Sequence, residues 1–388
     1  MNTHGAAESR DLCDTIAPMI PVAEPVLLGN EKKYVMDCLD TLWISSRGKY
    51  IAEFEEAMAH YCGVRHGIAC ANGTTGLHMA LEVLGVGAGD EVIIPDFTIV
   101  VTANVTMLAG ATPVLVDVEP DTWCIDPAKI EAAITPRTKA IMVVHMYGHP
   151  CDMDPINAIA RRHGLFVIED CCQSHGAVYK GRMTGALSDI AVFSFYGNKT
   201  ITSGEGGMLV TDNDAYAERA RIYRDNGFEE PRFIHKVRGM NYRLTNMQAA
   251  IGLAQTEKLD FAVARKREIA ATYLDALAGF PHVTLPVERP GCRNVYWMFS
   301  LLINDSFGRS KNAVMAALKE RGVDSRSFFY PMSEQPAMRG DDPRFPDLRG
   351  HRPVSSDLGR RGLYLPSGLG LTADQIRFCA ETLKSLTR

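Results

Sequence analysis

From about residue 65 the chain alternates short apolar runs with stretches of helical period. Ile68-Ala69-Cys70-Ala71 reads as a strand, and Asn72-Gly73-Thr74-Thr75 turns it into a helix over Leu77 to Leu84. Further strands read at Glu91 to Ile94, Thr112 to Asp117, Ala140 to His145 and Leu165 to Asp170, with helical segments such as Pro127 to Ala133 and Pro155 to His163 between them. Strands that are apolar throughout, rather than alternating, are covered on both faces; their alternation with helices predicts an α/β fold with a mostly parallel central sheet. The pattern then predicts helices over Asp214 to Arg224 and, unbroken, over Thr245 to Leu277.

After Phe280-Pro281 the texture changes. A strand-like run from Tyr296 to Leu302 is followed by a helix from Lys311 to Arg321, a Pro/Gly/Arg-rich stretch from Pro331 to Arg352 and a closing helix from Ala373 to Leu386. This predicts a weakly ordered tail over 1–20, a large α/β domain over 21–265 with helices on both faces of its sheet, and a smaller C-terminal α+β domain over 266–388. Neither an internal repeat nor a low-complexity segment interrupts the pattern.

Composition narrows the function classes. Hydrophobic residues at 46% and charged residues at 22% of 388 are those of an ordinary globular protein. A formal net charge of -5 argues against a nucleic-acid surface. The ten cysteines include no Cys-x-x-Cys pair, which suits a reducing compartment where thiols pack as small hydrophobes. The first twenty residues carry Glu8, Arg10, Asp11 and Asp14 and no apolar signal run, and no stretch is apolar enough to span a membrane. The expected location is cytoplasmic.

Candidate chemistry gathers at predicted strand ends, where open α/β sheets hold ligands. In Phe193-Ser194-Phe195-Tyr196-Gly197-Asn198-Lys199, a strand ends in a hydroxyl and one lysine follows among aromatics and a Gly-rich turn. Partial desolvation lowers a lysine pKa and frees its amine as a nucleophile; the plainer alternative is a solvated loop lysine. Gly73, Thr74 and Thr75 open a helix and suit an anion, or Thr74 or Thr75 simply caps that helix. Asp170 closes an apolar strand and can accept from a protonated pyridine nitrogen, with Gln173 reaching an adjacent ring oxygen; alternatively it caps the next segment. Asn241-Tyr242-Arg243 precedes a helix that Thr245 can cap, and its Asn or Arg can complete an anion site. A phosphate cradle, a pyridinium partner and an aldehyde-accepting lysine are the requirements of pyridoxal 5'-phosphate (PLP). His145, His149, Cys151, Asp152 and Asp154 outline a metal site only superficially, because Gly148 and Pro150 break regular ligand geometry. No metal is expected.

The same motifs in this order, with Gly204-Glu205-Gly206-Gly207, resemble the PLP-dependent sugar aminotransferases of the DegT/StrS group, fold type I. The resemblance runs from about Pro21 to the C-terminus. Leu42 to Gly48, Tyr61 to Val64, Phe195 to Thr202 and Phe328 to Met332 look most like the branch whose members make GDP-perosamine. It implies a homodimer with two shared active sites, Asn241 reaching the cofactor phosphate of the neighbouring subunit. It also implies Lys199 as the residue that binds PLP covalently and shuttles the proton, glutamate as amino donor, and C4 of a nucleotide-linked 4-keto-6-deoxy sugar as acceptor, in ping-pong order. Relatives of the group also act on UDP- or dTDP-linked sugars or keto-cyclitols, and some, with histidine in place of the lysine, dehydrate the sugar; a PLP-holding regulatory or scaffold protein is the non-enzyme alternative. Two positions depart from the group's pattern. Ile99 stands where an aromatic usually stacks on the pyridine ring, so that either Ile99 covers the ring or Phe97 does so from two residues away. Ser333-Glu334-Gln335 follows Tyr330-Pro331-Met332 where many relatives have His, in the region expected to bind the sugar.

Overall fold

The computed structural model describes residues 19–27, 29–231, 233–338, 340 and 346–387. The expected tail over 1–20 therefore lies almost wholly outside the described residues. Seven strands build the large sheet: β1 (His66–Cys70), β2 (Glu91–Pro95), β3 (Thr112–Val116), β4 (Thr138–Val144), β5 (Phe166–Asp170), β6 (Ile190–Ser194) and β7 (Gly207–Thr211). Their spatial order is β1-β7-β6-β5-β4-β2-β3; β7 alone runs antiparallel to its neighbours. The C-terminal ends of the other six strands thus share one edge, and each is followed there by a turn or a helix. β2, β6 and β7 are buried at every position, as their unbroken apolar runs require, with helices packed on both faces.

A second, antiparallel sheet forms from β8 (Val283–Thr284), β9 (Phe299–Ile303), β10 (Arg326–Ser327) and β11 (Gly362–Leu365), in the order β8-β9-β11-β10. It packs with the Ala373–Lys384 helix around Phe299, Leu301, Phe307, Leu363 and Leu383. β9 starts at Phe299, three residues later than the apolar run suggests, because Tyr296 sits at φ 47 and Val295 and Trp297 donate to Gly148 and Tyr147 of the large domain.

The helical pattern expected to run unbroken from Thr245 is two helices, Asn246–Thr256 and Leu259–Ala276. The break falls where the Glu257 carboxylate accepts from Asn30 and the Tyr34 hydroxyl. The first helix packs on the N-terminal helices Glu31–Asp40 and Lys49–Cys62, and the second on Ala373–Lys384. Within the second, Leu259, Ala262 and Val263 belong to the large-domain core, whereas Ile269, Ala270 and Tyr273 belong to the small-domain core.

Candidate active site

At the shared sheet edge lies a cavity of about 310 Å³, lined by Asn72, Gly73, Thr74, Ile99, Asp170, Cys172, Gln173, Ser194, Lys199, Trp297, Phe329 and Tyr364 among others. Its floor is made by the ends of β5 and β6. The β6 chain leaves the sheet at Ser194 and folds back on itself: Phe195 donates to Gly206, and Ser203 and Thr202 Oγ1 return bonds to the Phe195 carbonyl. This closed loop holds Lys199 against the indole of Trp297, with Nζ 4.4 Å from the ring centroid. Trp297 is fixed in turn, because its Nε1–H donates to the Asn198 carbonyl at 2.8 Å. Burial lowers the Lys199 pKa, and the nearby Asp170 carboxylate opposes that lowering, whereas burial keeps the neighbouring Cys172 thiol protonated. Under the loop, His175 is fully buried against Phe193 and Phe195, and among the described residues its two ring nitrogens have no side-chain hydrogen-bond partner. Burial, reinforced by the charge of Lys199, drives its pKa down to about 3, so the imidazole is neutral.

Asp170 is 2% exposed at the tip of β5. Its Oδ1 accepts from the Cys172 N–H at 2.9 Å, and among the described residues no cation pairs with the carboxylate. An ionised carboxylate this buried calls for a charged donor. Gln173 is oriented by the Tyr147 N–H, which donates to its Oε1 at 2.8 Å and leaves the amide NH2 for the cavity.

The helix Gly73–Leu84 opens directly onto the cavity. Asn72 caps it, accepting from the Thr75 N–H at 2.9 Å, while Thr75 Oγ1 closes the capping box. Thr75 is thereby used in the helix terminus and does not line the cavity; Gly73 and Thr74 do, with the first N–H groups of the helix left for an anion. Gly73 is required by close approach: a Cβ there would lie 2.9 Å from both Cys172 Sγ and Ser194 Cβ.

Two expected residues stand apart from this cluster. Phe97 does not line the cavity. It is 1% exposed in the core between the domains, packed on Phe328 and Tyr147, because Asp96 and Phe97 turn away from the sheet edge before Ile99 returns to it. Ile99, at 37% exposure, faces the cavity in its place. Asn241 is exposed and paired through its backbone with Asp225, outside the cavity of its own chain. Sequence reasoning missed Trp297, Tyr147, Phe329 and Tyr364. Trp297 was legible as part of an aromatic run, but its place at the cavity depends on the backbone reversal at Tyr296. His145, Glu169 and Cys171 lie close enough to surround an ion, yet the Glu169 carboxylate already accepts from His145, Gly185, Leu187 and Ser188.

A lysine amine, a carboxylate and a helix N-terminus converging on the carboxyl edge of a parallel sheet define an α/β enzyme built for amine chemistry on an anionic ligand. The chain belongs to the DegT/DnrJ/EryC1/StrS aminotransferase family, which matches residues 26–384. It is 47% identical to a GDP-perosamine synthase of Caulobacter vibrioides over 363 residues, covering 92% of this chain and 96% of that one. Against a GDP-perosamine synthase of Escherichia coli O157:H7 the identity is 42% over 365 residues, covering 94% and 97%. Among solved structures, the crystal structure of S. venezuelae DesV superposes with a TM-score of 0.88 at 35% identity, covering 95% of this chain and 98% of that chain. The chain is an aminotransferase of this family. Among the described residues, no helix is long and apolar enough to cross a membrane.

Proposed function

We propose that the protein transfers an amino group from glutamate to C4 of a GDP-linked 4-keto-6-deoxy sugar, with PLP held by Lys199. The observation that carries the reading is the convergence, around one cavity, of the Lys199 amine, the buried Asp170 carboxylate, without a cationic partner among the described residues, and the open helix terminus at Gly73 and Thr74. These residues fit PLP: a carboxylate for the ring nitrogen, an amide for the ring oxygen, donors for the phosphate and an amine for the aldehyde. When bound, PLP supplies an electron sink and a carbonyl that takes up and releases the amino group. Asp170 keeps the ring nitrogen protonated. Gln173 donates its NH2 to the ring oxygen, while Ser194 and the N–H groups of Gly73 and Thr74 receive the phosphate. Ile99 is the side chain available to cover the ring. Lys199 is the amine that would hold the aldehyde and, when free, the general acid–base that would carry a proton between the donor carbon and the cofactor.

The GDP-linked acceptor is drawn from the two relatives named GDP-perosamine synthase. A homodimer with shared sites is supported by the exposed apolar run Leu42-Trp43-Ile44, at 84%, 56% and 48% exposure, beside a surface pocket formed by Arg47, Asp225 and Arg243. Asn241, directed away from its own cavity, is assigned to the phosphate of the partner's cofactor. We assign the protein to the cytoplasm, where its nine described free cysteines stay reduced.

The test is to load the protein with PLP, add glutamate and follow the visible absorbance while offering GDP-, UDP- and dTDP-linked 4-keto sugars and a keto-cyclitol. Glutamate is expected to bleach the band and the GDP sugar to restore it with formation of a 4-amino sugar. Restoration only by another member of the panel would replace the acceptor. A protein that binds PLP yet aminates nothing would favour a regulatory role, and one that stays colourless after reconstitution would end the proposal.

A further inference from the structure

Two aspartates at neighbouring strand tips hold the small domain against the cavity. Asp96 follows β2 and is fully buried. Its Oδ1 accepts from the Ser333 N–H at 2.8 Å and its Oδ2 from the Ser333 hydroxyl at 2.8 Å, while its carbonyl accepts from the Met332 N–H at 2.9 Å. Asp117 follows β3. Its Oδ1 accepts from the Ser355 N–H at 2.9 Å and the Ser355 hydroxyl at 2.7 Å, and its Oδ2 from the Val354 N–H at 3.2 Å.

Each contact supplies something that the small domain lacks locally. The helix Pro353–Arg361 follows Arg352, which provides no side-chain cap; its first residue is a proline with no N–H, and its next two N–H groups go to Asp117. The short turn Met332–Glu334 follows Pro331 and likewise has no cap of its own; Asp96 takes the N–H of its second residue. Both are helix caps provided in trans, from the large domain, by side chains of the type that normally caps in cis.

The two capped turns carry one wall of the cavity. Phe329, just before the first turn, lines it and stacks on Tyr147 at 5.9 Å with ring planes 1° apart. Tyr147 is the residue whose N–H orients Gln173. Tyr364, on the strand that follows the second turn, lines the same wall. Next to Asp96, Phe97 packs on Phe328 at 5.7 Å and adds an apolar fastening to the polar one. Ser333 therefore does not face a substrate; its hydroxyl is spent on Asp96, and Glu334 accepts from the Ser356 hydroxyl.

We propose that Asp96 and Asp117 are positioning residues for the acceptor sugar, setting the Phe329–Tyr364 wall by capping two small-domain turns. The inference rests on the reading of the cavity as an aminotransferase site with a keto-sugar acceptor. Because the caps touch neither Lys199 nor Asp170, and reach the cofactor only indirectly through Phe329, Tyr147 and Gln173, the donor half-reaction is expected to depend on them much less than acceptor binding does.

The variants Asp96→Asn, Asp117→Asn, Ser333→Ala and Ser355→Ala test this, the alanines keeping the fold should an asparagine fail to. The acceptor KM is expected to rise about tenfold in the asparagine variants and less in the alanines, since each asparagine turns an acceptor oxygen into a donor. The rate of the glutamate half-reaction should stay within about twofold of the parent, because no group that contacts cofactor is altered. An unchanged acceptor KM, or equal losses in both half-reactions, would overturn the positioning role. Amide exchange over 328–338 and 353–361, read in the same variants without substrate, should accelerate in the segment whose cap is altered. Unchanged exchange would remove the caps whatever the kinetics. Should the parent aminate no keto sugar, the acceptor assignment falls, while the exchange result still decides whether the caps exist.

Discussion

At the scale of single residues, the amine of Lys199 is governed by opposing influences of known sign. Burial favours its neutral form, and the Asp170 carboxylate favours the charged form. In the cofactor-free protein, the rate of condensation with added PLP should therefore rise with pH and reach half its maximum below the ordinary lysine value of about 10.4. Removing the Asp170 charge withdraws a stabiliser of the ammonium, so Asp170→Asn should move that midpoint further down; rapid-mixing absorbance measures both. The same substitution should slow turnover by about a hundredfold, the worth of a charge-assisted hydrogen bond of about 3 kcal/mol. Turnover close to that of the parent would release Asp170 from the ring nitrogen. Lys199→Ala should retain no PLP after borohydride treatment and denaturation, where the parent retains it at Lys199, which peptide mass mapping would locate.

At the scale of elements, Asp117 gives a prediction about pH. Burial raises its pKa, but the combined donors of Ser355, Val118 and Val354 outweigh burial and hold it below the usual carboxylate range. A depressed folded pKa means that the unfolded chain binds the proton first. The stabilisation is therefore complete above the unfolded value of about 3.9 and is lost as pH falls through the folded value. At neutral pH, Asp117→Asn should cost about 1–3 kcal/mol in urea unfolding. The gap to the parent should close on acidification below about pH 4; a constant gap from pH 7 to pH 3 would mean that the carboxylate charge is not what matters there.

The elements also show what could be read from the chain and what could not. Strands buried on both faces leave an apolar signature that the sequence shows along β2, β4 and β6, while the edge strand β3 carries an exposed Thr112 and was legible from its apolar core alone. Asp170, Ser194 and Lys199 could be placed because strand-end chemistry follows from strand position. Phe97 could not: the backbone turn that buries it depends on Phe328, more than two hundred residues away along the chain. Nor could the division of the long helical pattern, since the partners of Glu257 lie on the far N-terminal side of the sequence. Thr74 and Thr75 were ambiguous between cap and ligand donor; Asn72 is the cap, and Thr75, bonded reciprocally to it, completes the capping box.

At the scale of the molecule, the proposed sharing of sites between two copies can be tested without a structure of the pair. Lys199→Ala and Asn241→Ala proteins, each impaired alone, should on mixing and reassociation recover about a quarter of the parent rate. Half the dimers are then mixed, and each mixed dimer holds one complete site. Recovery of nothing would assign Asn241 to its own chain's site or to no site. Replacing Trp43 by a charged residue should shift the protein towards monomer in sedimentation if, as proposed, the exposed apolar run around it meets the second copy.

The helix Leu259–Ala276 carries a mechanical consequence. It is one continuous rod spliced into both hydrophobic cores, and midway along it the Lys266 amine, whose pKa burial lowers to about 7, bolts Trp297 and Ser367 to its shaft through their carbonyl oxygens, at 2.8 and 2.6 Å. Swinging one lobe about the other would have to bend that rod or shear those bolts. The two cores are accordingly expected to move as one body, and small-angle scattering of the protein with and without its substrates should give the same profile.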